Sequence, residues 1–233
     1  MFTGDTIQAP AQTGGDADAS RTVLFDFDGV LHHGDAFYLF IRHRYASSLH
    51  CKLLAALTMP WWLLCLVFSR RLAARALVHV ALLGVSQKRY QVIAETFADQ
   101  LVQRPRQFCR DGLNALRRHQ QEGDDVIIVT GCEHVLVSRL VSRLGLSNVT
   151  IVASRFKPGW LGMRVALHNV GRRKLQSLAK LGIQQWRVAY SDSFQDTPML
   201  KQAGEAVLVN GTPKLCKRVE KALGRSVMRV VWY

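Results

Sequence analysis

The chain has 233 residues, 48% hydrophobic and 21% charged, the balance of a globular protein long enough to bury a full core. Thirty-one Lys and Arg against 17 Asp and Glu give a formal charge of +14, which argues against an acidic or charge-neutral scaffold and favours anionic partners. Five cysteines, at 51, 65, 109, 132 and 216, form no CxxC pair, which argues against a zinc site or a disulfide framework and fits a reducing compartment.

Residues 1–20 are small and polar, without Lys or Arg. They lack the basic start and apolar stretch of a secretory signal and are expected to be a disordered tail. Residues 22–26, TVLFD, are short, apolar and strand-prone, and predict a buried strand. Two aspartates one residue apart, Asp26 and Asp28, follow at its end, with Gly29 letting the chain turn away.

Residues 34–105 then read as almost wholly helical. From residue 36 to residue 94 there is no Asp or Glu, but there are eight basic residues: Arg42, Arg44, Lys52, Arg70, Arg71, Arg75, Lys88 and Arg89. Residues 53–68, LLAALTMPWWLLCLVF, run sixteen residues without a charge. A spanning helix needs about 20 such residues, and Pro60 interrupts this run.

Strand patterns return at 125–130, 148–152, 187–190 and 206–209, between helical patterns near 107–122, 133–144, 171–181, 195–202 and 213–223. Residues 153–167 carry turn residues at Pro158, Gly159 and Gly162 and predict a β-hairpin, and residues 227–233 predict a last strand. Strands alternating with helices imply an α/β fold with a doubly wound, mostly parallel sheet. The expected division is a tail at 1–20, a core at 21–33 and 106–233, and an inserted all-helical cap at 34–105. In such sheets ligands sit beyond the carboxyl ends of the strands, where Asp26, Thr130, Ser191 and Asp192 all fall.

In an extended chain residues i and i+2 face the same way, so the carboxylates of Asp26 and Asp28 would repel unless they share a proton or meet a cation. The pair alone fits equally well two aspartates that cap a turn. Taken with VTG at 129–131, Lys174 in GRRK at 171–174 and YSDSFQD at 190–196, in this order, DFDGV at 26–30 resembles the haloacid dehalogenase superfamily. The resemblance covers about residues 21 to 215, and its helical insert and YSDSxxD form are similar to the phosphoserine phosphatase branch.

The resemblance implies a Mg²⁺-dependent phosphoric monoester hydrolase with a Rossmann-like core. Asp26 would be the nucleophile that forms an aspartyl-phosphate, and Asp28 the general acid and base. Asp28 stands where ion-pumping relatives carry threonine, which points to phosphatase or phosphomutase chemistry. Thr130, the Gly131 amide and Lys174 would bind the phosphate oxygens. The implied magnesium ligands are Asp26, the Phe27 carbonyl, Asp28 and Asp192, with Asp196 orienting Lys174 or a bound water. Val30 and Ser191 replace a common threonine and glycine, and neither change removes a catalytic group. Arg172 and Arg173 flank Lys174, which leaves open which cation meets the phosphate.

Cys132 follows Thr130 and Gly131, but lacks the glycine and arginine cradle of a cysteine phosphatase and reads as a small residue opening a helix. His32 and His33 read as loop-packing or solvated residues more than as substrate contacts.

The cap bears on the substrate. With no acid from 36 to 94, only Asp35 could meet a substrate ammonium group, which disfavours an amino-acid phosphate. Apolar helices with Trp61 and Trp62, bracketed by Lys and Arg, have the composition of a membrane-interface segment. The same run also fits the buried centre of a helical cap. In pattern, the loop, insert and last motif look most like the phosphatidylglycerophosphatase C family. The resulting expectation is a phosphatase of an anionic membrane lipid, such as phosphatidylglycerophosphate, at the cytoplasmic face of the cell membrane. The alternative is a soluble phosphomonoesterase for small metabolites, and a non-enzymatic adaptor is a third reading. No aromatic-and-basic stacking platform supports nucleic-acid binding.

Overall fold

A computed structural model describes residues 21–233, so the tail expected at 1–20 lies outside the described residues. Seven strands form one sheet: β1 Thr22–Phe25, β2 Asp125–Glu133, β3 Thr150–Gly159, β4 Gly162–Leu167, β5 Trp186–Ser191, β6 Ala203–Val209 and β7 Met228–Val230. Their order is β4-β3-β2-β1-β5-β6-β7, and all neighbours are parallel except the β3–β4 pair. The chain reverses its direction of sheet growth between β1 and β5, so a crevice opens beyond their carboxyl ends.

All four residues of β1 are buried, because a central parallel strand is covered on both faces and reads apolar throughout. Alternate residues feed two cores. Phe25 and Ile128 pack on one side with Leu116 and Leu136, whereas Leu24, Ile127 and Val129 pack on the other with Leu178, Leu200 and Val219.

Six helices lie between β1 and β2: α1 Ala36–Ser47, α2 Leu49–Leu57, α3 Met59–Phe68, α4 Arg70–Ala81, α5 Gln87–Val102 and α6 Arg110–Gln121. Four more follow β2: α7 His134–Arg143, α8 Arg172–Ala179, α9 Thr197–Gln202 and α10 Pro213–Leu223. Helix α5 buries Tyr90, Ala94, Phe97, Ala98 and Leu101, a stripe at helical spacing. It is tied to α7 by Asp99, which accepts bonds from both Arg139 and Arg143. Phe40 of α1 packs edge-on against Tyr90 and Phe97, and the Tyr45 hydroxyl donates to the Leu77 carbonyl at 2.7 Å, joining α1 to α4. Helix α4 buries Ala73, Ala76, Val80 and Ala81, whereas α3 buries no residue at all.

Several boundaries differ from the sequence reading. The segments expected as a strand at 148–152 and a hairpin at 153–167 are one long strand, β3, returning as β4. Strand β2 runs past Thr130 to Glu133 through a register shift. The helix expected over 195–202 opens as a 3₁₀ turn, Phe194–Asp196, before α9, where Pro198 stands in the first turn. The final strand is only Met228–Val230, at the sheet edge.

Candidate active site

Strand β1 stops at Phe25, but Asp26 extends the pairing by one residue, its amide donating to the Tyr190 carbonyl at 3.0 Å. That bond points the buried Asp26 carboxylate out of the carboxyl edge of the sheet, where its Oδ1 accepts the Phe27 amide at 2.7 Å. The chain then reverses at Gly29, whose φ of 77° is left-handed. The Asp192 carboxylate lies directly over this glycine: a Cβ there would stand 1.8 Å from Asp192 Oδ2. Glycine is required at 29 both for the turn and for the approach of the last motif.

Asp28 stands on the same loop, its Oδ1 accepting the Ala36 amide at 2.8 Å at the start of α1. Asp35 caps the same helix through Tyr38 N at 2.8 Å. Lys174, in the first turn of α8, is 2% exposed; its Nζ lies 2.9 Å from Asp26 Oδ2 and 2.7 Å from Asp196 Oδ2. Ser191 adds its hydroxyl to the same Asp196 oxygen at 2.8 Å. An ammonium buried between two carboxylates, with a hydroxyl on the second, is a fully partnered arrangement.

Burial raises the Asp26 carboxyl well above the ordinary carboxylate range, with Asp196 adding to the rise and Lys174 opposing it. Burial lifts Asp28 to about 7, against the Ala36 amide and with help from Asp35 and Asp192. Asp192 rises to about 6, chiefly through burial and then through Asp196. For Asp196, burial is outweighed by Lys174 and by its hydrogen bonds, so its carboxyl is held below the ordinary value. Burial alone would lower Lys174, but Asp26 and Asp196 outweigh it and hold its charge.

The crevice has a volume of about 430 Å³, and its walls include five carboxylates (Asp26, Asp28, Asp35, Asp192 and Asp196) and one ammonium, Lys174. A strongly anionic pocket rich in carboxylate oxygens suits a hard divalent cation, and carboxyls pushed upward by burial first and by one another second are what such an ion would relieve. Magnesium therefore fits the residues present.

The backbone donor is a correction. Phe27 was expected to lend its carbonyl to the metal, but that oxygen accepts the amides of Leu31 at 2.9 Å and His32 at 3.0 Å, which uses both lone pairs inside the turn. The Asp28 carbonyl accepts no hydrogen bond among the described residues, so it is the backbone oxygen free to take the place assigned to Phe27.

Gly131 lines the crevice, while Thr130 is fully buried behind it, its Oγ1 accepting the Cys132 amide at 2.9 Å. Arg172 and Arg173 are exposed, in contrast to Lys174. Cys132 is buried and its thiol is pushed well above the ordinary value, by burial first, so it supplies no thiolate. His32 is buried between Phe27 and Phe108, with Nδ1 3.1 Å from the Gly34 carbonyl, and His33 is exposed.

The sequence reading missed Asn169. It is fully buried; its amide nitrogen donates to the Thr130 carbonyl at 3.2 Å and the Val152 carbonyl at 2.9 Å, and its Oδ1 accepts the Ser177 hydroxyl at 2.9 Å. It locks the carboxyl-end stretch of β2 to β3 and α8. A lone asparagine between a hairpin and a helix carries no periodic signal that would reveal this.

A second acidic group, His119, Glu122 and Asp124, has ligand atoms within 4.8 Å of one another. It lies by the amino end of β2, away from the crevice, and Arg187 already supplies the cation that Asp124 faces.

The profile of the haloacid dehalogenase-like hydrolase family matches residues 23–201, and the chain belongs to that family. Phosphoserine phosphatase SerB1 of Mycobacterium tuberculosis is 32% identical over 112 residues, 45% of this chain and 36% of the relative. The chain thus spans about a third of the length of the curated relatives it matches. Among solved structures, a protein of unknown function from Bordetella pertussis Tohama I superposes with a TM-score of 0.67 at 18% identity, covering 90% of this chain and 98% of the other. A phosphoserine phosphatase in apo form superposes with a TM-score of 0.54 at 17% identity, covering 86% and 90%. These likenesses share the α/β fold, and the family match places this chain's motifs within it.

Proposed function

We propose that the protein is a Mg²⁺-dependent phosphoric monoester hydrolase that works through an aspartyl-phosphate on Asp26. The observation that carries this reading is the buried Asp26–Lys174–Asp196 array at the carboxyl edge of the sheet, facing Asp28 across one crevice. Asp26, Asp192 and the Asp28 carbonyl would hold the ion, which when bound screens the charge between a carboxylate and a phosphate. An Asp26 oxygen attacks phosphorus as the bond to the leaving oxygen breaks, and Asp28 gives its proton to that oxygen. Asp28, now a carboxylate, takes a proton from the water that cleaves the acyl-phosphate and releases inorganic phosphate. A carboxyl raised to about 7 suits both halves of this exchange near neutral pH. Lys174 and the Gly131 amide meet the phosphate oxygens, with Thr130 behind holding the end of β2 through the Cys132 amide.

The preferred substrate is the phosphate of an anionic membrane lipid such as phosphatidylglycerophosphate, met at the cytoplasmic face. Support comes from α3, where Val67 is 82% and Phe68 74% exposed, and from the lack of any acid between residues 36 and 94. Two observations favour a soluble small-metabolite substrate instead: Asp35 lines the crevice, where a carboxylate could meet a substrate ammonium group, and the similar SerB1 is named a phosphoserine phosphatase.

Phosphate release with Mg²⁺, with EDTA and in Asp26→Asn tests the chemistry: both EDTA and the substitution should remove turnover. Equal release by the variant would overturn the nucleophile assignment. Vesicles containing phosphatidylglycerophosphate, compared with phosphoserine and other soluble phosphates, decide the substrate.

A further inference from the structure

We infer that the bent helix pair α2–α3 lies in one leaflet of an anionic bilayer as a monotopic wedge and does not cross it, an inference that rests on the lipid reading above for its partner. No single described helix is long and apolar enough to span a membrane, and α2 and α3 pass that test only as a pair bent by 65°. They have nine and ten residues, so at 1.5 Å per residue each reaches about 14 to 15 Å, half of a hydrocarbon core of about 30 Å. The bend stands at Thr58, whose hydroxyl donates to the Leu54 carbonyl at 2.7 Å and whose carbonyl accepts the Trp61 and Trp62 amides.

The return path excludes a crossing. Ser69 caps α4, which packs against α3 and buries Ala73, Ala76, Val80 and Ala81, and α4 returns to the body where Ala81 joins the main core and the Leu77 carbonyl accepts the Tyr45 hydroxyl at 2.7 Å. A spanning α2–α3 would oblige α4, with Arg70, Arg71 and Arg75, to cross in return through the hydrocarbon. Lying in the plane, the pair instead keeps Lys52, Arg70 and Arg71 at headgroup depth while Leu57, Leu64, Val67 and Phe68, all more than half exposed, enter the acyl region. Charge complementarity selects the occupant: the segment from 36 to 94 carries eight basic and no acidic residues, a balance that matches an anionic lipid surface.

The test uses the full chain and sealed phosphatidylcholine vesicles with or without about one-third phosphatidylglycerol, a fraction high enough for basic residues to sense the surface. These vesicles contain no phosphomonoester, so binding is read independently of lipid hydrolysis, and either result can fail without the other. Expected results are co-sedimentation that needs phosphatidylglycerol and weakens with salt, and stronger quenching of a fluorophore at Val67→Cys by shallow than by deep nitroxide lipids. In a Cys65→Ser background, an impermeant maleimide should label Arg70→Cys from outside. Leu64→Glu with Val67→Glu should lower partitioning by roughly 100-fold, leaving hydrolysis of para-nitrophenyl phosphate unchanged. Labelling of Arg70→Cys only after detergent would show a span and overturn the inference. So would unchanged partitioning of the double variant, binding indifferent to phosphatidylglycerol, or a vesicle-free dimer that the double variant dissociates.

Discussion

Lys174 is held between Asp26 and Asp196 with almost no contact with water, so its charge is part of the fold as well as of the site. Lys174→Met should therefore remove activity and also destabilise the protein by about 3–5 kcal/mol, since it strands two buried carboxylates. Urea unfolding measures this, with Arg172→Ala and Arg173→Ala as exposed controls expected to stay within about 0.5 kcal/mol of the parent. Gly29→Ala acts differently. Its Cβ would displace the Asp192 carboxylate, so Mg²⁺ affinity, read by titration calorimetry, should fall at least about tenfold, as expected when a ligand loses its orientation. Unchanged affinity would mean that Asp192 does not take part in binding the ion.

Glu133 joins two helices that the sequence shows only separately. It caps α7, accepting the Val135 amide at 3.0 Å and the Leu136 amide at 3.2 Å, and it also accepts the Tyr90 hydroxyl of α5 at 2.7 Å. Burial raises the Glu133 carboxyl, and Tyr90 and the helix amides resist that rise. Tyr90→Phe should cost about 1–2 kcal/mol in chemical denaturation, the value of a buried hydrogen bond to a charged acceptor, because the amides still satisfy Glu133. Glu133→Ala should cost more, as it leaves two helix amides and a tyrosine hydroxyl unpaired. If the two substitutions have equal effects, capping contributes nothing and the inter-helix bond alone matters.

The crevice as a unit predicts how pH and metal act together. Asp28 and Asp192 have folded values of about 7 and about 6, above the ordinary 3.8. Groups raised in this way contribute stability that is fully present below about pH 4 and is lost as pH rises through about 6 and then about 7. Magnesium held as proposed by Asp26 and Asp192 would favour their ionised forms and that of the adjoining Asp28 carboxyl, so its stabilising effect should run the opposite way. Thermal melts with Mg²⁺ and with EDTA should differ more at about pH 8 than at about pH 5.5, because only the higher pH lies above both raised values. A larger metal effect at the lower pH would remove the carboxylates from the binding site.

The sequence alone determined the alternation of strand and helix, the helical insert and the chain order of the motifs, because buried strands and amphipathic helices leave local periodic signals and the family's motifs are short and contiguous. It placed Asp26, Asp28, Gly131, Lys174, Asp192 and Asp196, and all six line one crevice. Tertiary structure decided what depends on partners distant in the chain. It turned the Phe27 carbonyl into the loop and left the Asp28 carbonyl open, it separated buried Lys174 from exposed Arg172 and Arg173, and it recruited Asn169 and Ser191. It also left α3 uncovered, which hydrophobicity could not foretell: a run of leucines reads the same whether it packs against a neighbouring helix or faces outward, and only the packing of α4 behind it settles which side is free.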